Sequence, residues 1–339
     1  MMKKIVFLSV LLISSGLFAK TPQWVKNPSK EYPAQDFFSA VGTGKDQQQA
    51  ELKAVENLAA VFGRNVNSFA RTSSRMRKAE ADGTVRTGKT SDFSQDITQR
   101  VAVEDLIGIE LKEYYCDDGK HYALAVMDKK QTQEILLSSI TSNNSRIEKL
   151  LCTAKPSELY TLENYARFDF AREIAELDEK MLSKLEVINV SCAEPLKKKI
   201  YTAASVRSQM LDIARAIPIG IKITGEGHEK MFQAVSEMFG QYGFRVSDSD
   251  GTRYTFFAKT ERLQRESDDG KTFQCIYSFD GQLMDRNEME YLWSTSFKGR
   301  ASSGDENLLS SKTDRAMASK IKEETAMDFG RFLGDMRAE

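Results

Sequence analysis

Residues 37–62 read FFSAVGTGKDQQQAELKAVENLAAVF, and three kinds of local chemistry follow one another along them. Residues 37–41 are apolar or small and suit a short strand. Gly42-Thr43-Gly44 then breaks the run, which predicts a tight turn with Gly42 and Gly44 supplying its geometry. Beyond it Ala50, Ala54, Leu58, Val61 and Phe62 recur at three- and four-residue spacing, so a helix is expected over residues 46–69 with one buried stripe. Strand, glycine turn and amphipathic helix open an α+β layer.

The same glycines, followed by Lys45, invite a phosphate-loop reading, because backbone N–H groups at a helix start cradle anions. The spacing does not support it. Ser39 stands where a Walker loop needs its first glycine, Asp46 where it needs Ser or Thr, and Gln47 where a dinucleotide fingerprint needs its third glycine. Gly225-Glu226-Gly227 has the same weakness.

N-terminal to this stretch, Trp24 with Tyr32, Phe37 and Phe38 reads as a strap packed on its own domain, with Trp24 as its anchor. Before the strap, Lys3 and Lys4, an apolar run and a small-residue end at Ala19 have the pattern of a secretory signal over residues 1–19, with cleavage after Ala19. An exported, periplasmic chain is therefore expected. No later run approaches the ~20 apolar residues of a bilayer span, so no transmembrane helix is expected after cleavage. The first cysteine is Cys116, so no lipidated N-terminal cysteine is expected either.

C-terminal to the first helix, residues 71–100 lose periodicity and become rich in Ser, Thr, Arg and Lys, which predicts an exposed loop or edge hairpin. Arg71, Arg75, Arg77, Lys78, Arg86 and Lys89 make this stretch basic and a candidate interaction surface, toward an acidic partner or an anionic envelope surface. Alternation returns with Ile107, Ile109 and Leu111, and the return strand Tyr122, Leu124, Val126 follows the hairpin signal Asp118-Gly119. Asp128 with Gln131 predicts a capped helix to about residue 151. Ser157 is expected to cap a second helix, with Leu159, Leu162, Ala166, Phe170, Ile174, Leu177, Met181 and Leu185 inward, and residues 196–217 a third. In the last part a strand over 219–224, a helix ended by Gly243, strands over 254–260, 272–280 and 290–299, and a helix over 313–333 give a βαβββα order.

The expected organisation is thus a signal peptide over 1–19, an α+β domain over 20–128, an antiparallel helical module over 129–216 and an α+β domain over 217–339. Composition narrows the function. The charge is balanced, 48 Lys+Arg against 49 Asp+Glu, without the basic footprint of a nucleic-acid binder. Two histidines and four scattered cysteines leave no metal-ligand spacing and no Ser- or Cys-centred triad motif, so neither a metal nor a cofactor is expected. Cys152 and Cys192 flank a helix that would separate them by roughly 40 Å, and no structural disulfide is expected.

Trp24-Val25-x-Asn27-Pro28, the segment Phe38-Ser-Ala-Val-Gly-x-Gly44, the helix Ala50-x-x-x-Ala54-x-x-x-Leu58-Ala59, Leu106-Ile-Gly-Ile-Glu110 and Tyr122-Ala-Leu-Ala-Val126 together resemble the LPP-twenty-type bacterial lipoprotein family over residues 24–128. The stretch is also similar to the N-terminal domain of the flagellar assembly protein FlgT, and the C-terminal part loosely resembles small periplasmic α/β domains. The resemblance implies a non-enzymatic envelope protein that works through contacts with other envelope proteins, as a scaffold or assembly factor. Its alternatives are an envelope hydrolase and a periplasmic small-ligand carrier.

Overall fold

The computed structural model describes residues 21–80, 107–152, 159–247, 251–266 and 272–338, so the signal segment 1–19 lies outside the described residues. The fold is α+β and contains a three-stranded and a five-stranded sheet. The chain divides into two units, Met1–Leu137 with Ser183–Ser191, and Ser138–Leu182 with Cys192–Glu339. The boundary falls inside three helices, so residues 129–216 are shared between the units, most of them going to the second.

In the first unit a short helix, α1 (Gln23–Lys26), precedes β1 (Phe37–Gly44) and the long helix α2 (Gln47–Glu80). The hairpin β2 (Ile109–Asp117) and β3 (Lys120–Asp128) completes a sheet of order β1-β3-β2, antiparallel throughout. β3 is central and buried on both faces. Ala123, Ala125 and Met127 pack with Ala50, Ala54, Leu58 and Phe62 of α2, while Leu124 and Val126 pack under Trp24, only 2% exposed.

Two expectations need correction here. Gly42 and Gly44 do not turn the chain; they continue β1, paired with Ala123 and His121. A Cβ on Gly42 would lie 2.0 Å from the Ala54 nitrogen and 2.2 Å from the Ala50 oxygen, so glycine is there to let the helix backbone touch the strand. The expected loop is also displaced: residues 71–80 continue α2, because Arg, Lys and Met favour helix even without an apolar stripe. The rest of that stretch, with Arg86 and Lys89, lies outside the described residues.

The helices α3 (Lys129–Cys152), α4 (Leu162–Ile188), α5 (Val190–Lys197) and α6 (Ala203–Ala216) follow. Asp128 caps α3, accepting from Gln131 N–H at 2.9 Å. Thr161 caps α4, accepting from Asn164 N–H at 3.1 Å, whereas the expected cap, Ser157, lies outside the described residues. Thr161→Ala should therefore cost about 1 kcal/mol in urea unfolding, the usual loss for an N-cap. The third expected helix is broken in two, with Pro195 inside α5 and Thr202 capping α6 through Ser205 N–H at 3.2 Å. The inward stripe of α4 is rotated slightly from expectation: Leu177 is 45% exposed, and Asp178 takes its place at 0%.

The second unit's sheet contains β4 (Pro218–Thr224), β5 (Arg245–Ser247), β6 (Tyr254–Glu266), β7 (Phe273–Asp285) and β8 (Glu290–Ser303), in the order β5-β4-β6-β7-β8. β4 pairs in parallel with β5 and β6, and the remaining pairs are antiparallel. The helices α7 (His228–Gln241), α8 (Glu306–Lys320) and α9 (Ala326–Asp335), the last two joined by a π-helical segment Ile321–Thr325, supply Met231, Val235, Met238, Phe239, Met317, Ile321 and Phe329 to one core with the inner residues of the sheet. Leu162, Tyr165, Met210 and Ile213 join that core, which ties α4 and α6 to this unit. Burial pushes the Tyr165 phenol upward, so it stays a donor and bonds the Tyr242 oxygen at 2.9 Å. β5 makes the order βαββββα, one strand more than expected.

Candidate functional site

The helices of the second unit cover one face of its sheet, which leaves the alternate residues of β4, β6, β7 and β8 facing outward. Register stacks these residues in rungs. Phe257 stands beside Gln282 and Ser294, Lys259 beside Asp280 and Ser296, Glu261 beside Ser278 and Lys298, and Leu263 beside Ile276 and Arg300. Lys222 and Thr224 of β4 adjoin the first two rungs. The first two rungs and the β4 pair line an open trough of about 700 Å³.

The sequence builds this trough by placing short or polar side chains on β7 and β8, so the long lysines of β4 and β6 rise as walls above a low floor. Phe257 is half-buried in that floor. Lys259 and Glu261, two residues apart on one face, pair at 2.6 Å. That hydrogen bond raises the Lys259 ammonium above its usual range and lowers the Glu261 carboxyl, so both stay charged near neutrality. Further along the face Leu263 and Ile276, cross-strand partners, remain 49% and 41% exposed. Beneath the sheet, on the opposite face, the buried Arg262 guanidinium pairs with Asp314 of α8, which holds β6 against the helix layer.

Trough and apolar patch together offer both charge signs, hydroxyls and an aromatic floor on a wide, shallow surface. Among the described residues no group of three or more His, Cys, Asp or Glu side chains could hold a metal ion, and no helix is long and apolar enough to cross a membrane. Cys116, Cys152, Cys192 and Cys275 form no disulfide with one another.

The candidate residues read from sequence lie in the other unit. Trp24, in the strap, is buried against Leu124 and Val126 of β3. Gly42 and Gly44 sit in β1 against α2. Arg71, Arg75, Arg77 and Lys78 stand on the last turns of α2, and Arg86 and Lys89 are outside the described residues. The trough was not singled out from sequence, although the alternation of Phe257, Lys259, Glu261 with Phe256, Ala258, Thr260 carried the signal of a sheet solvated on one side.

Two sheets, one sandwiched between α2 and an aromatic strap and the other backed by helices on a single face, define an α+β protein. Residues 22–128, about a third of the chain, match the family model of the LPP20 lipoproteins. No curated protein matches. Among solved structures the chain is similar to the secreted protein HP1454 of Helicobacter pylori, at 10% identity and a TM-score of 0.43, covering 85% of this chain and 97% of that one. It is similar also to the lipoprotein GNA1162 of Neisseria meningitidis, at 13% identity and 0.23, covering 30% and 96%. A minor lipoprotein of Acinetobacter baumannii aligns at 10% and 0.23, covering 36% and 91%. At such scores only the family match bears on what the chain does, and a match to a lipoprotein family points to an exported envelope protein.

Proposed function

We propose that this is a non-catalytic envelope protein, exported by the N-terminal signal and acting by binding another protein, and that the helix-free face of the five-stranded sheet is its contact surface. The observation that carries this reading is the pairing of exposed Leu263 and Ile276 beside a trough bounded by charges of both signs. Apolar side chains clustered within a polar rim are what protein interfaces use, whereas small-ligand sites are enclosed and mostly apolar. β8 is a sheet edge, so a partner could also add a strand there. The basic residues Arg71, Arg75, Arg77, Lys78, Arg86 and Lys89 would add an electrostatic contact to an anionic envelope surface.

A photo-crosslinking amino acid placed at Ser296 tests the reading in the intact cell, with the same group at Lys230 on α7 as control. A discrete protein adduct is expected from Ser296 and none from Lys230. In Leu263→Asp/Ile276→Asp the Ser296 adduct should fall about tenfold while thermal unfolding is unchanged, as expected for outward-facing positions. Adducts that form equally at both sites, or that survive the double substitution, would overturn the choice of surface.

A further inference from the structure

Outside the trough, nucleophilic and titratable side chains meet at the end of the β2–β3 hairpin. Asp118 and Gly119 both have positive φ, 47° and 70°, the geometry of a two-residue type I′ turn. Such a turn fixes register, and it sets Cys116 directly opposite His121. Tyr114, two residues earlier, emerges on the same face. The Tyr114 Oη lies 2.5 Å from His121 Nδ1, and His121 Nε2 lies 3.9 Å from Cys116 Sγ.

Nucleophile, base and a third group holding the base are thus brought together, with Tyr114 also within reach of Cys116, and such constellations activate cysteine and serine nucleophiles. The imidazole has both nitrogens engaged. When the phenol donates to Nδ1, Nε2 carries its proton toward the sulfur and would stabilise a thiolate; in the other tautomer Nε2 accepts from the thiol. Cys116 and Tyr114 are exposed, so a reagent in solution can reach the sulfur. Two ligands fall short of the four of a structural zinc site, which makes metal binding the weaker use of the same atoms.

We propose that Cys116 is a thiol-modification site taking small-molecule disulfides, with His121 as its general base and Tyr114 as the residue positioning the imidazole. With Nδ1–H donating to the Tyr114 oxygen, the thiol proton passes to His121 Nε2 and the sulfur attacks one sulfur of the disulfide. A Cys116–S bond forms, the reagent's S–S bond breaks, and the released thiolate takes the proton back. The product is a mixed disulfide and one small thiol, with no other oxidant needed. An exported protein meets such reagents in an oxidising compartment.

The test uses the reduced full chain and glutathione disulfide at pH 7, with peptide mass spectrometry to give a rate for each cysteine. Cys152 is also exposed and serves as the internal comparison; Cys275 is buried. Cys116 is expected to react about tenfold faster than Cys152. His121→Ala should remove that advantage and leave Cys152 unchanged, and added imidazole should restore part of it, which a purely structural role for His121 would not allow. Tyr114→Phe should give a smaller loss. Equal rates at Cys116 and Cys152 in the unaltered protein overturn the proposal without any variant. A His121→Ala protein that keeps the full Cys116 rate overturns the role of the base.

Discussion

Gly42→Ala should unfold the first unit at temperatures where the second remains intact. The added methyl would meet the Ala54 nitrogen at 2.0 Å, the Ala50 oxygen at 2.2 Å and the Lys53 carbonyl carbon at 2.6 Å, all backbone atoms of α2. No rotamer can relieve a clash with backbone, so the helix must lift from the sheet. Lifting it separates Ala54, Leu58 and Phe62 from Ala123, Ala125 and Met127, the whole inner core of the unit. Overpacking a core costs typically about 1–3 kcal/mol where side chains can shift; here the clash is with backbone and the expected loss is above ~3 kcal/mol, a large part of a domain's margin. Hydrogen exchange read by peptide would show protection lost across residues 37–62 and kept across β6 and β7. Unchanged protection in residues 37–62 would refute the close-packing role of this glycine.

That role shows where sequence reading stops. A Gly-x-Gly after an apolar run is compatible with a turn or with a helix lying unusually close to a strand, and only the position of Ala50 and Ala54 across the gap decides. The small residues of α2 facing glycines were in plain view, but their contact is long-range. The extension of α2 to Glu80 escaped because its last turns have no apolar stripe, so periodicity had nothing to report while propensity did. β5 escaped because its three residues are too few for any period. The end of the hairpin was legible, since a two-residue Asp-Gly turn implies the pairs 117–120 and 116–121 and with them the Cys116–His121 juxtaposition; its start was not, because residues 107–108 form a turn and a bulge between Leu111 and Glu113 breaks the expected alternation. The trough was half legible, since alternation separates two faces but does not say which one the helices leave uncovered.

Asp178 is the second position where one substitution should act strongly, and here the direction is stabilising. It occupies an inward place on α4 that the pattern Ala171, Ala175, Leu182, Leu185 reserves for apolar side chains, and it is fully buried. Asn143 donates to its Oδ1 at 2.7 Å, and its Oδ2 has no partner. Burial pushes the carboxyl up from its usual 3.8 to about 6, against the lowering effect of the Asn143 bond. A folded-state value above the unfolded one means that the native protein binds the proton more tightly. This carboxyl therefore contributes stability below about pH 4 and loses it as pH rises through about 6, a swing of at most about 3 kcal/mol. Asp178→Asn keeps the acceptor for Asn143 and removes the buried charge, while its amide N–H group inherits the unpartnered position at a cost of about 1 kcal/mol. The net expectation at pH 7.5 is a gain of about 1–2 kcal/mol. Urea unfolding from pH 4.5 to 8 should give curves for the two proteins that lie closest at the acid end, diverge as pH rises to about 6 and keep a constant gap above it, with the variant on top. Parallel curves would mean that Asp178 stays ionised throughout, in which case water must reach the space beside Oδ2.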